Sequence, residues 1–178
     1  MFGRLAHMFF GRMMPPDMVY AVQPGILSRV VETIEMTFLG SFFGTVIALV
    51  VAWFAAWNVT PNRRYLYPLG RGILVMARSV PVLIWGMLLV AILGFGPLAG
   101  VIALTLLTIS FAGKLMSEQV EAIDMGPVEA MRATGASPIK VYLFGIIPQV
   151  KPAWIGILIY NWDSIFRAST VLGFVGAG

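Results

Sequence analysis

The sequence predicts an all-α integral membrane protein with about four spanning helices, and three observations carry that expectation. Of the 178 residues, 59% are hydrophobic and only 11% charged, less than half the roughly 25% charged share of soluble domains. The mean hydropathy is +0.89. The charges fall between long apolar runs, and proline or glycine punctuates the same junctions.

Residues 1–35 read as an N-terminal lead-in: Arg4, His7, Arg12, Asp17 and Arg29 interrupt it, and Pro15-Pro16 and Gln23-Pro24-Gly25 are turn signals. Neither a signal peptide nor a span fits there, and Leu27 to Glu35 reads as a short amphipathic approach. Met36 to Trp57 then runs about 22 residues without a charge, enough to cross a hydrocarbon core of roughly 30 Å. This is the first expected span, 36–57.

The connection over 58–79 holds Arg63, Arg64, Arg71 and Arg78 and no acid, which places it on the cytoplasmic side by the positive-inside rule. About 35 uncharged residues separate Arg78 from Lys114, divided by Gly94-Phe95-Gly96-Pro97. They are too few for two full spans and a turn, so both helices extend into their flanks, giving 72–93 and 97–119. A fourth span is expected over 151–172, with Asp163 and Arg167 at i and i+4 on one face. Residues 173–178 start a glycine-rich loop. This topology leaves Arg4, Arg12 and Arg29 outside, against the usual bias, so the segment is atypical or a preceding helix is missing.

Between the third and fourth spans lies a polar elbow, 120–148. Pro127 suits a first helical turn, Val128 to Thr134 are good helix formers, and Gly135 is a natural helix end. Ser137 offers an N-cap oxygen with Pro138 at the first helical position, and Ile139, Tyr142 and Ile146 recur at helical spacing until Pro148 is expected to stop the pattern. Helix, glycine bend, helix is the expectation, on the cytoplasmic side with Lys114, Arg132 and Lys140. Glu129 and Arg132, at i and i+3, offer shape and charge to a partner.

Several chemistries are excluded. The net charge of +4 is scattered and not gathered with aromatics on one face, so no nucleic-acid partner is expected. There is no cysteine and a single histidine, His7, which removes thiolate chemistry and clustered metal ligands. Glu118, Glu121, Asp124 and Glu129 read as solvated helix faces, not as a metal site. No Gly-Lys-Ser or Gly-Lys-Thr loop is present to cradle phosphates, and no nucleophile, base and orienting group can be assembled. The chain is therefore expected to be neither an enzyme nor a cofactor carrier.

Glu129-Ala130-Met131, then Gly135, then Ile147-Pro148 have the spacing of a cytoplasmic signature, and with them the chain resembles the permeases of ABC importers. In that family Glu-Ala-Ala is followed by glycine and, further on, Leu-Pro. The departures are Met131 for the second alanine, Gly145 for the usual isoleucine and Ile147 for leucine. Gly113-Lys114-Leu115, Glu121 to Asp124, Arg132 to Ser137, Ser169 to Gly173 and Val175 to Gly178 narrow the resemblance to phosphonate/phosphite importers. Asn58 to Pro61 and Arg78 to Pro81 add to it, so that it covers roughly residues 13–178.

The resemblance implies a MetI-like permease bundle in the bacterial cytoplasmic membrane, working as a homodimer with two ATP-binding subunits and an extracytoplasmic phosphonate-binding protein. It implies that Glu129, Ala130, Arg132, Gly135, Ala136 and Ser137 form the coupling helix that docks on the ATPase. It also implies a further spanning helix beyond the glycine-rich loop and one before 36–57, so the chain is expected to be incomplete. For translocation the candidates are Asp163, Arg167 and Ser169. An ionisable pair inside a span is costly and marks a water-filled path, with the Arg167 fork suited to phosphonate oxygens. Equally, Arg167 snorkels to the interface with Asp163 as its local partner. Trp162 and Asn161 rank below them. Beside ATP-driven import stand a permease-like fragment with an assembly role, an importer of another small solute, and an ion-coupled transporter, which would want more intramembrane carboxylates.

Overall fold

The computed structural model describes residues 24–173 and Gly176, and among these every regular element is a helix. His7, Arg4, Arg12 and most of the glycine-rich loop lie outside the described residues. The chain divides into two units, 1–32 and 33–178. The described part of the first is the start of helix α1 (Pro24–Phe54), where Ser28 Oγ donates to the Gly25 carbonyl and Arg29 pairs with Glu32.

The second unit holds the rest. After α1 the chain turns at Pro61-Asn62, and the Asn62 Oδ1 accepts from the amides of Arg64 and Tyr65 to launch α2 (Leu66–Ser79). A short α3 (Val82–Leu93) follows, then α4 (Pro97–Glu121), α5 (Met125–Ala133) and a long α6 (Pro138–Gly173). Three helices, α1, α4 and α6, are each long and apolar enough to cross a membrane, and the α2–α3 pair makes a fourth if counted as one bent span.

That second span, read as continuous over 72–93, is two helices bent by 88°. The cause is local: Pro81 drives the preceding Val80 into extended geometry, φ −109° and ψ 123°. The fourth span also differs from expectation. It is not a fresh helix from Lys151 but the continuation of the elbow's second helix, which runs through Pro148 and Pro152. A π-helical stretch over Val141–Ile146 widens the turn just ahead of Pro148. Its i→i−5 bonding relieves the crowding by which a proline ring normally ends a helix.

Helix α4 sits at the centre. A stripe at every fourth position of α1, Gly40, Gly44, Ala48 and Ala52, lies against it, so close that a Cβ on Gly44 would be 2.4 Å from the Cβ of Thr108. Small residues let spanning helices approach this closely where no hydrophobic effect drives them together. Ala99, Ala103 and Leu104 of α4 also pack with Ile165 and Leu172 of α6 and with Trp85 and Leu89 of α3. The outward residues of α1, among them Phe42, Phe43, Val46 and Val50, are exposed and apolar, as a surface solvated by lipid requires.

Candidate functional site

The elbow is built on a small apolar core. Val128 of α5 is fully buried with Val120, Val141, Ile146 and Val150, and Trp53, Met131, Tyr142 and Trp154 close around them. Helix α5 starts at Asp124, whose side chain accepts from the Gly126 amide, and ends where Gly135 takes a positive φ of 76°. The Gly135 amide donates to the Arg132 carbonyl at 3.0 Å and the Ala136 amide to the Met131 carbonyl at 3.2 Å, which closes the bend. Ser137 has the extended backbone of an N-cap, but its side chain makes no capping hydrogen bond, contrary to expectation.

Glu129, Ala130, Arg132, Gly135 and Ser137 are exposed, while Ala136 is half-buried against the elbow's core. No ion pair joins Glu129 to Arg132 among the described residues; both are exposed, and Arg132 also borders a cavity with Trp53, Ala136 and Tyr142. The arrangement presents a short polar helix to whatever meets it. No cluster of three or more acidic or histidine side chains suited to a metal occurs among the described residues.

Four residues hold the elbow in roles that the sequence reading did not assign to them. The Gln149 amide accepts from the Asp124 N–H at 3.0 Å and donates to the Asp124 carbonyl at 3.1 Å and to the Gly145 carbonyl at 2.7 Å. One side chain thus ties the start of α5 to the first turns of α6, which needs both the donor and the acceptor of an amide. Arg71 of α2 pairs with Glu121 at 2.5 Å, and Glu121 also accepts from the Trp57 amide at 2.9 Å. Glu121 is therefore not the solvated carboxylate expected. Asn58 completes the tie by donating to the Val120 carbonyl at 2.7 Å.

Two of the departures from the importer signature meet in space. A Cβ on Gly145 would lie 3.3 Å from the Met131 sulfur and 3.7 Å from the Val128 Cα. The larger residue at 131 fills the room that a larger residue at 145 would need. Gly145→Ile is expected to destabilise by about 1–3 kcal/mol, and adding Met131→Ala is expected to recover most of that loss. A thermal-unfolding cycle of the detergent-solubilised protein checks it; strict additivity of the two changes would show that the residues do not compensate.

On α6, Asp163 and Arg167 form an i,i+4 ion pair at 2.5 Å with side chains 61% and 64% exposed. The structure does not bring Ser169 to them: it is buried, and its hydroxyl donates to the Phe166 carbonyl of its own helix. Asn161 is buried too, with an Nδ2 that lacks a partner, and Trp162 packs among Phe38 and Phe166. The exposed pair and the buried Asn161–Ile165–Ser169 stripe occupy opposite sides of one helix.

Comparison with known proteins agrees with this architecture. Residues 44–178 match the family model described as binding-protein-dependent transport system inner membrane component. The chain is 42% identical over 168 residues to the phosphite transport system permease protein PtxC of Stutzerimonas stutzeri, covering 94% of this chain and 60% of that one. It is 38% identical over 167 residues to the phosphate-import permease protein PhnE of Mycolicibacterium smegmatis, covering 94% of this chain and 31% of that one. The chain thus spans at most about three-fifths of the length of these relatives. Among solved structures, a chain of the MetNI methionine ABC transporter in an inward-facing form superposes with a TM-score of 0.74 at 28% identity, over 87% of this chain and 76% of that one. A helical bundle of this kind, matched by the family model over three-quarters of its length, belongs to the inner-membrane permease components of binding-protein-dependent transport systems.

Proposed function

We propose that the protein is the membrane-spanning subunit of an ATP-driven importer of phosphite or a related phosphorus oxyanion. The observation that supports this most is the 42% identity to a phosphite transport permease across 94% of the chain, against 27% over 57% of the chain for a methionine import permease of Bacillus subtilis. In this reading two copies form the pore, an extracytoplasmic binding protein delivers the solute, and two separate ATP-binding subunits grip the elbows from the cytoplasm. Glu129, Ala130, Arg132, Gly135, Ala136 and Ser137 make that contact. Closure of the ATPases moves the elbows and exchanges inward-facing for outward-facing states.

Asp163 and Arg167 belong to the pathway in this reading. Their exposure on a span supports it, because a charged pair facing acyl chains is costly whereas one facing a water-filled path is not. Arg167 presents a guanidinium fork to the oxyanion and Asp163 holds the fork's direction. Ser169 supports the path from behind, as part of the packed face.

The test is uptake by cells carrying the full-length permease with its ATPase and binding protein. Phosphite, methylphosphonate, phosphate and methionine are offered as competitors. Competition by the phosphorus oxyanions and none by methionine is expected; competition by methionine overturns the substrate class. Arg167→Gln is expected to lower uptake about tenfold, the loss of one charge-assisted contact, with Arg167→Lys in between. Unchanged uptake in Arg167→Gln at normal membrane levels refutes the pathway role.

A further inference from the structure

Arg71 does not face one carboxylate but two, placed one helical turn apart on the last stretch of α4. Its Nη2 lies 2.5 Å from Glu121, and its Nη1 lies 3.9 Å from Glu118, which Lys114 shares at 3.8 Å. The Arg71 guanidinium carbon also lies over the Tyr67 ring, 5.6 Å from its centre, a third partner of the same head group. Its Nε is buried and has no partner, and neither has the buried Oδ1 of Asn58, on the loop that the same clasp holds. Hydrogen-bonding capacity is therefore left over at this joint, whereas buried polar groups are ordinarily satisfied.

The position of the joint gives it a use. Glu121 ends α4 three residues before Asp124, the cap of the elbow helix, and the Gln149 amide fixes the backbone of Asp124 to α6. Displacement of α5 thus reaches α6 through Gln149 and reaches the bent α2–α3 pair through Arg71. We propose that Arg71 is a positioning residue with two stations, Glu121 and Glu118, and that its exchange between them carries movement of the elbow into α2. The Glu121 station is the closer one here, 2.5 Å against 3.9 Å for Glu118, with the Trp57 amide as its second ligand. The Glu118 station lies one turn back along α4, and Lys114 neutralises Glu118 when Arg71 is away. Elements that step by one turn along a neighbour give two discrete packings instead of a continuum, which is what a switch needs.

This rests on the import reading, and the test separates the two. The full-length protein, assembled with its ATPase and binding protein in liposomes, carries spin labels on α5 and α2. Two quantities are measured: the label distance with and without ATP, and phosphite moved per ATP hydrolysed. Wild type is expected to show a distance change on ATP addition. Glu118→Gln is expected to hold the nucleotide-free distance in ATP, and Glu121→Gln to lose it without ATP. Both are expected to keep ATP hydrolysis within about twofold while phosphite moved per ATP falls about fivefold or more, the usual scale of a coupling loss. Arg71→Lys, which keeps the charge and loses the fork, is expected to recover part of the ratio. If hydrolysis and transport fall together in both glutamine variants, or if the labels respond to ATP in Glu118→Gln as in wild type, the two-station proposal is overturned. Should wild type move no phosphite while the distances behave as described, the substrate reading fails and the joint stands.

Discussion

Gly135→Pro is expected to leave the protein in the membrane yet abolish the contact proposed between the elbow and an ATPase subunit. Gly135 holds φ at +76°, a region closed to proline, whose ring fixes φ near −65°. The same substitution removes the amide that donates to the Arg132 carbonyl at 3.0 Å. Together these cost on the order of 3 kcal/mol or more at the bend, about a hundredfold in the population of the native turn. The loss is local because no atom stands within 4 Å of a Cβ placed on Gly135, so the spans themselves are untouched. Gly135→Ala separates conformation from shape: it keeps the amide and meets open space, and it bears only the left-handed penalty of about 1–2 kcal/mol. Co-purification with the ATPase and uptake are therefore expected to decline in the order Gly, Ala, Pro. Glu129→Lys, which reverses an exposed charge without altering the backbone, is expected to weaken association with the bend intact. Normal association in both Gly135→Pro and Glu129→Lys refutes docking through this face.

The bend was legible because its cause is written locally. Pro127 and Pro138 fix φ at their own positions and Gly135 permits the positive φ of the bend, and the helix ends lie within a few residues of them. The charge-free core of the first span was legible for a similar reason, but its ends were not: α1 begins at Pro24, takes in Arg29, Glu32 and Glu35, and ends at Phe54, where 36–57 was expected. What reached beyond local signals was not. Pro148 alone says stop, yet α6 runs on through it and through Pro152, with a π-helical stretch just ahead of the first. Val80-Pro81 says break, but the apolar run around it says span, and the structure satisfies both by bending. Gln149 and Arg71 carry no periodic or motif signal, and the run that includes Glu121 names no partner for it: their roles depend on residues 25 and 50 positions away in sequence. A carboxylate at the end of an apolar helix looks solvated until the fold supplies a cation to face it. The Asp163–Arg167 pair was visible because an i,i+4 pair is itself local, whereas the burial of Ser169 two residues on depends on which side of α6 meets α4.

A second large effect is expected far from any charge. Gly44 lies where α1 crosses α4, and a Cβ there would come to 2.4 Å from the Thr108 Cβ, 2.7 Å from its Cγ2 and 3.0 Å from the Thr105 carbonyl oxygen. Backbone and a β-branched side chain cannot yield as the end of a flexible chain would. Gly44→Ala is expected to destabilise by about 1–3 kcal/mol through overpacking, and Gly44→Leu to exceed that range because its branch enters the same wall. The strain has a route to the elbow, since Ala48 and Ala52 continue the seam toward Trp53, whose ring meets Tyr142 of α6 edge-on at 4.0 Å. Gly156 makes the contrast: it is a helix-interior glycine with nothing within 4 Å of a Cβ. Gly156→Ala is expected to raise stability by about 0.4–1 kcal/mol through the unfolded chain's lost freedom. Thermal unfolding and monodisperse yield of the solubilised protein check both. Moving the small residue across the seam, with Gly44→Ala combined with Thr108→Gly, is expected to restore the approach of the helices, less about 1 kcal/mol for a new helix-interior glycine. If Gly44→Ala and Gly156→Ala shift the melting temperature equally, close approach at the seam is not what glycine provides at position 44.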